Sequence, residues 1–109
     1  MNKREKIVAV RVLRGAAELL REVGWCQNRA VKTDGNGKAI AYCLIGALQA
    51  QKASSHLASE AVREYLASKA GGVRPTFFSI PSWNDRKGRK KREVLDALRF
   101  TANRLEKEI

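Results

Sequence analysis

The chain has 109 residues, 44% of them hydrophobic, and its 22 lysines and arginines against 11 aspartates and glutamates give a net charge of +11 and a pI near 10.3. That length accommodates one domain with a modest core, and no apolar run approaches the roughly 18 to 20 residues needed to cross a bilayer, which sets a membrane-spanning role aside. Fifteen alanines and only 6% aromatic residues favour close-packed helices over a sheet sandwich, while the charge favours a polyanionic partner, nucleic acid first.

The first predicted element is an amphipathic helix from Lys3 to Val23. Ala9, Val12, Leu13, Ala16, Leu19, Leu20 and Val23 recur at the helical spacing, and Arg4, Arg11, Arg14 and Arg21 form a basic stripe on another side. Gly24 is a natural residue to end it. Two short extended runs then flank Asp34-Gly35-Asn36-Gly37, where residues tolerant of positive φ specify a β-hairpin turn. So small a hairpin must lean on neighbouring helices, and Trp25 and Tyr42 are the expected packing groups. The run from Tyr42 to Leu48 is apolar nearly all round and predicts a buried central helix, with Gly46 permitting close approach of another backbone. Ser54 or Ser55 caps the next predicted helix, whose apolar face is Leu57, Ala58, Ala61, Val62, Tyr65 and Leu66, and Ala70-Gly71-Gly72 ends it. Residues 73–85 hold both prolines and no helical period. They are expected to run extended over the core, with Phe77, Phe78, Ile80 and Trp83 as plugs. A last helix takes Val94, Leu95, Leu98, Ala102, Leu105 and Ile109 inward. The expected fold is therefore mainly α (α+β), with four helices and a small β-hairpin in a single compact domain over residues 1–109.

The two cysteines, Cys26 and Cys43, form no C-x-x-C pair, and charges interrupt the N-terminal apolar residues too often for a secretory signal, so a reduced cytoplasmic setting is expected. No cofactor is expected. Gly35 to Lys38 is not a phosphate loop, because Lys32 stands where the first glycine of that loop belongs and Ala39 stands where Ser or Thr would hold magnesium. Cys43 opens a helix whose N–H groups could stabilise a thiolate, and His56, the single histidine, could serve it as base with Asn84 or Asp85 orienting the ring. A cysteine hydrolase using Cys43 and His56 is accordingly one alternative, set against a plain core cysteine. Zinc ligation by Cys26, Cys43 and His56 lacks the usual spacings, and no metal site is assigned. Asn84 and Asp85 are expected to be structural, bonding exposed backbone and fixing the approach to the last helix.

The ordered motifs Gly24 to Gln27 (GWCQ), Cys43 to Leu48 (CLIGAL), and Trp83 to Asp85 (WND) with Arg89 and Glu93 to Leu95 (EVL) resemble those of a family of small bacterial and phage proteins known as a domain of unknown function. The resemblance runs from about Val8 to Leu105 and implies a compact single domain without implying a reaction. It also implies Ser or Thr at the position of Lys90, as the first residue of a capping box closed by Glu93. Lysine there gives up that cap and joins a run of cations.

From Arg86 to Arg92 every residue except Gly88 is positive, and the apolar period of the last helix starts directly afterwards. Cations at a helix N-terminus oppose the macrodipole by about 0.3–1 kcal/mol each when exposed, so a ligand outside the helix is the natural reason for them. The candidate polyanion-binding residues are Arg86, Lys87, Arg89, Lys90, Lys91 and Arg92, with Arg11 and Arg14 extending the footprint. Nucleic acid is the leading partner. An acidic protein is the second, in a protein-binding accessory or inhibitor of a phage or mobile element, and the oligomeric state is left open.

Overall fold

All residues from 1 to 109 are described by the structure, a computed structural model. Helix α1 (Lys3–Glu22) starts at a reciprocal cap, in which the Asn2 side chain accepts from the Glu5 N–H at 2.8 Å and the Glu5 carboxylate accepts from the Asn2 N–H at 2.9 Å. Two backbone donors that the helix itself leaves unpaired are thereby satisfied. The helix buries Ala9, Val10, Val12, Leu13, Ala16, Ala17 and Leu20, the face its periodicity marks out, and the chain leaves it at Gly24.

Helix α5 (Lys91–Glu106) lies antiparallel to α1. Lys6 pairs with Glu108 at 3.1 Å at one end, Arg14 pairs with Glu106 at 2.8 Å further along, and the Lys91 ammonium reaches the Arg21 carbonyl at 3.5 Å at the other end. Between these pins the contact is made largely by buried alanines and leucines, Ala9, Leu13, Ala16 and Leu20 on α1 and Leu98, Ala102 and Leu105 on α5. Helix α3 (His56–Lys69) packs across both, and the short α2 (Leu44–Gln49) lies between α1 and the rest with Leu44, Gly46, Ala47 and Leu48 buried. The buried apolar side chains of all these helices form one cluster. Each leucine completely removed from water contributes about 1.5–3 kcal/mol, which makes this cluster the main stabilising element.

Strands β1 (Val31–Thr33) and β2 (Ala39–Tyr42) pair antiparallel, Val31 opposite Tyr42, with a bulge between Lys32 and Thr33. The turn is fixed by Asp34, whose Oδ1 accepts from the N–H groups of Asn36 at 2.7 Å and Lys38 at 3.0 Å. Residues 24–26 run along the far side of β2, where Tyr42 N–H donates to Gly24 and Cys26 N–H donates to Tyr42. Trp25 and Tyr42 are half-buried against the core, as the small size of the hairpin requires.

Five α-helices are present rather than four. Residues 73–85, expected to be extended, contain a 3₁₀ turn at Pro75–Phe77 and a further helix, α4 (Ile80–Asp85). Ser79 caps α4, its Oγ accepting from the Ser82 N–H at 3.1 Å, and Pro81 sits in the first turn, where a missing N–H costs nothing. Six residues are too few to display a period, which is why the helix is silent in a pattern search. Of the four expected plugs, Ile80 is fully buried, Phe78 and Trp83 are half-buried, and Phe77 is 76% exposed. Ser55 stands at the N-cap of α3 but its side chain makes no capping bond. Ile109 lies beyond the end of α5 and is exposed, because the helix stops before it.

Gly46 is where α2 meets the loop before β1. A Cβ on it would overlap the Ala30 carbonyl oxygen and stand 2.8 Å from the carbonyl carbon. That carbonyl is itself held in place by the Cys43 N–H at 3.0 Å and has no room to retreat. Gly46→Ala is therefore expected to destabilise the fold by about 1–3 kcal/mol, the range for overpacking, despite alanine's better helix propensity, and urea denaturation will measure it.

Candidate functional site

The turn between α4 and α5 is built on Asn84, a buried side chain with no exposed surface. Its Oδ1 accepts from the Trp25 indole N–H at 2.8 Å and from the Leu44 backbone N–H at 3.1 Å. Its Nδ2 donates to the Cys26 carbonyl at 3.2 Å and to Asp85 Oδ1 at 2.9 Å. The amide thus uses both acceptor and both donor positions, the full capacity of the group. Gln27 adds a second tie, its Nε2 donating to the carbonyls of Asn84 and Arg86 at 3.0 Å each. Asp85 adds a third, accepting at 2.8 Å from the N–H of Asn28, whose φ of +68° is unusual for a residue with a side chain. Three sequence motifs, GWCQ, the start of CLIGAL, and WND, meet here as one polar junction.

Asn84 and Asp85 are structural and bond backbone as expected, but they hold α4 to the loop at residues 25–28 and to the start of α2 rather than fixing the approach to the last helix. The approach to α5 is held by Arg89. Its guanidinium lies 3.9 Å from the Trp83 ring centroid, its Nε donates to the Trp83 carbonyl at 2.9 Å, and its Nη1 pairs with Glu93 at 3.2 Å. Only 11% of the Arg89 side chain is exposed.

The predicted cations therefore divide. Arg89 is a structural clamp, Lys91 is half-buried over the C-terminal end of α1, and Arg14 is engaged by Glu106 and by Asn103 at 2.9 Å. Arg86, Lys87, Lys90 and Arg92 are exposed, and none of them has a carboxylate within ion-pair distance. Arg11 is likewise exposed and unpaired, but it lines a separate groove of about 600 Å³ with Glu18, Glu22 and Lys52, roughly 15 Å along the helix axis from Arg21. Arg21 is occupied by Glu18, and that pairing holds the Glu18 carboxyl below its ordinary value and the Arg21 guanidinium above its own.

Three of the acids are occupied by backbone N–H groups. Asp34 binds its own turn, Asp85 binds Asn28, and Glu93 accepts from the Lys90 N–H at 2.8 Å. The lysine ammonium has no lone pair with which to return that bond, so only the Glu93 half of a side-chain capping box is made at α5. The N–H groups of Lys91 and Arg92 receive no acceptor from the protein. Arg29 and Lys32 are exposed and line a shallow pocket with Gln27, whose side chain bonds the Arg86 carbonyl. Sequence reading did not single out this pair, since nothing in the spacing joins residue 29 to residue 86; only Gln27 does.

Cys43 and His56 are not drawn into one site. Cys43 is buried as the N-cap of α2, its Sγ accepting from the Gly46 N–H at 3.2 Å. The His56 side chain is 75% exposed and faces Glu60 at 3.2 Å, one turn along its own helix. Burial pushes the Cys26 thiol up, away from the reactive thiolate, with proximity to Cys43 adding to the effect. No group of three or more His, Cys, Asp or Glu side chains is arranged to hold a metal ion.

A small helical domain whose β-hairpin, central helix and penultimate helix are tied by one buried asparagine is the class that this geometry defines. The chain belongs to the family of unknown function DUF6197, whose model matches residues 5–104 and so takes in the whole junction and the cationic turn. No curated protein and no solved structure matches it.

Replacing Asn84 by alanine strands the Trp25 and Leu44 donors in the interior, and a loss of about 3 kcal/mol in denaturant titrations is expected. The Glu93 carboxyl is held below its ordinary value of 4.5, first by the Lys90 backbone N–H and then by the positive charge of Arg89. A carboxyl so lowered stabilises the fold above the unfolded-state value, and the contribution disappears as pH falls through the folded-state value. Glu93→Gln should thus be less stable than the parent at neutral pH, with the difference shrinking as pH falls below the ordinary carboxylate value, as thermal melts across the acid range will show.

Proposed function

We propose that this protein is a non-catalytic binding module for polyanions, with a nucleic-acid backbone as the ligand. The observation that supports this reading is the set of exposed cations at Arg86, Lys87, Lys90 and Arg92, which no carboxylate of the chain neutralises. They surround a helix N-terminus with unpaired N–H groups, and both features favour phosphate. Arg29 and Lys32 are further exposed cations, on the hairpin side of Gln27. Arg89, although predicted as a ligand contact, serves by stiffening the turn that presents the others. Contacts of this kind are to phosphate and carry no sequence information, so binding without base specificity is expected.

The experiment is a salt titration of binding to a labelled duplex. Neutralising about five phosphates gives a log-log slope of about −4.5, and the double variant Lys87→Glu, Arg92→Glu should reduce it to about −3 or less. Neither residue makes an intramolecular pair, and a carboxylate at position 92 suits the positive end of α5, so the variant is expected to fold. Binding that ignores salt, or none to DNA or RNA at low salt, would overturn the proposal. A partner that survives nuclease treatment in a pull-down would point to an acidic protein surface in its place.

A further inference from the structure

Between α3 and α5 runs a groove of about 240 Å³, floored by the buried Leu66 and Ala97 and walled by Tyr65 and Phe100. The Phe100 ring is 49% exposed, and it meets Tyr65 at 6.5 Å between centroids with the planes tilted by 58°. Two cations flank its aromatic rings. Lys69 lies 5.6 Å from the Tyr65 centroid, and Arg89 is stacked on Trp83, which also lines the groove. Arg89 belongs to the cationic turn and Trp83 lines the groove, so the groove borders the turn that carries the free cations.

We infer that this groove receives an unpaired base, and that the ligand class is single-stranded nucleic acid rather than duplex. The inference rests on the polyanion reading and narrows it. An aromatic wall supplies a face for stacking, which suits every base and therefore tolerates sequence, while the cations outside hold the phosphates. The two acids on the rim sharpen the division of labour. Glu93 is already bound to Arg89 and to the Lys90 N–H, and Asp96 is half-buried with no partner in the protein. A carboxylate there repels phosphate and accepts from an N–H of a base, the ring N3–H in thymine, so it directs the base inward and leaves the backbone to the cations. In a duplex the bases are stacked on each other and offer no free face to Phe100, so the groove would stay empty.

The test compares a labelled fifteen-nucleotide oligothymidine with a fifteen-base-pair duplex at one salt concentration, by fluorescence anisotropy. Phe100→Ala is expected to weaken single-strand binding about tenfold while leaving the duplex affinity and both salt slopes unchanged. Phe100→Trp should retain single-strand binding, and its added indole should be quenched by the oligothymidine and not by the duplex. An unchanged single-strand affinity in Phe100→Ala, with salt-dependent binding intact, would overturn the groove assignment and leave the polyanion reading standing. Equal losses on both ligands would overturn it too. Absence of binding to either ligand by the parent protein at low salt would remove the polyanion reading and this inference with it. Because Phe100 is half-exposed, circular dichroism of the alanine variant should match the parent.

Discussion

One buried amide holds the non-helical half of this molecule together. Asn84 joins residues 26, 25 and 44 to residue 84, spans of 58, 59 and 40 positions, and its bonds leave no buried side-chain nitrogen or oxygen of the chain without a partner. A hairpin of three and four residues has no stability of its own. It persists because the segment beside it is bonded to α4 and because Gly46 lets α2 sit directly on the Ala30 carbonyl. An unpaired polar group in such a place costs about 1–3 kcal/mol, so a junction of this type is stabilising only when complete. The match of the family model over residues 5–104 takes in every member of the junction.

The same junction determines which charges are available. Backbone N–H groups exposed by the hairpin turn, by Asn28 and by the start of α5 take Asp34, Asp85 and Glu93 as acceptors. Asp85 and Glu93 among them flank the run of cations in the chain. Elsewhere the pairs are conventional, with Lys6, Arg14 and Arg21 matched to Glu108, Glu106 and Glu18. Exposed pairs of that kind contribute about 0–1 kcal/mol, so their effect on stability is small and their effect on the local field is the larger one. The excess positive charge of the chain is thus left uncompensated near the α4–α5 turn, where a rigid Arg89–Trp83 stack presents it.

Much of the fold was legible in advance because its long helices have simple periodic causes. The buried faces of α1, α3 and α5, the turn at Asp34 to Gly37, and the room for close approach at Gly46 follow from spacing and residue type alone. Helix α4 was not legible, since six residues complete fewer than two turns and Pro81 suggested an extended path. The candidate site was half legible. Four of the cations, Arg86, Lys87, Lys90 and Arg92, are as free as the clustering implied, whereas Arg14, Arg89 and Lys91 are engaged by groups 92, 4 and 70 positions away.

The sequence by itself determined the helical class, the positions of the long helices and the run of charge ahead of the last one, because periodicity and composition are local properties of a chain. Only the tertiary structure decided which cations remain free, that Asn84 is the junction, and that Tyr65, Trp83 and Phe100 share a groove. Apart from the local clamp of Arg89, those outcomes depend on contacts between segments far apart in the chain, and the physical reason is that a hydrogen bond or ion pair is selected by distance in space, on which sequence spacing is silent.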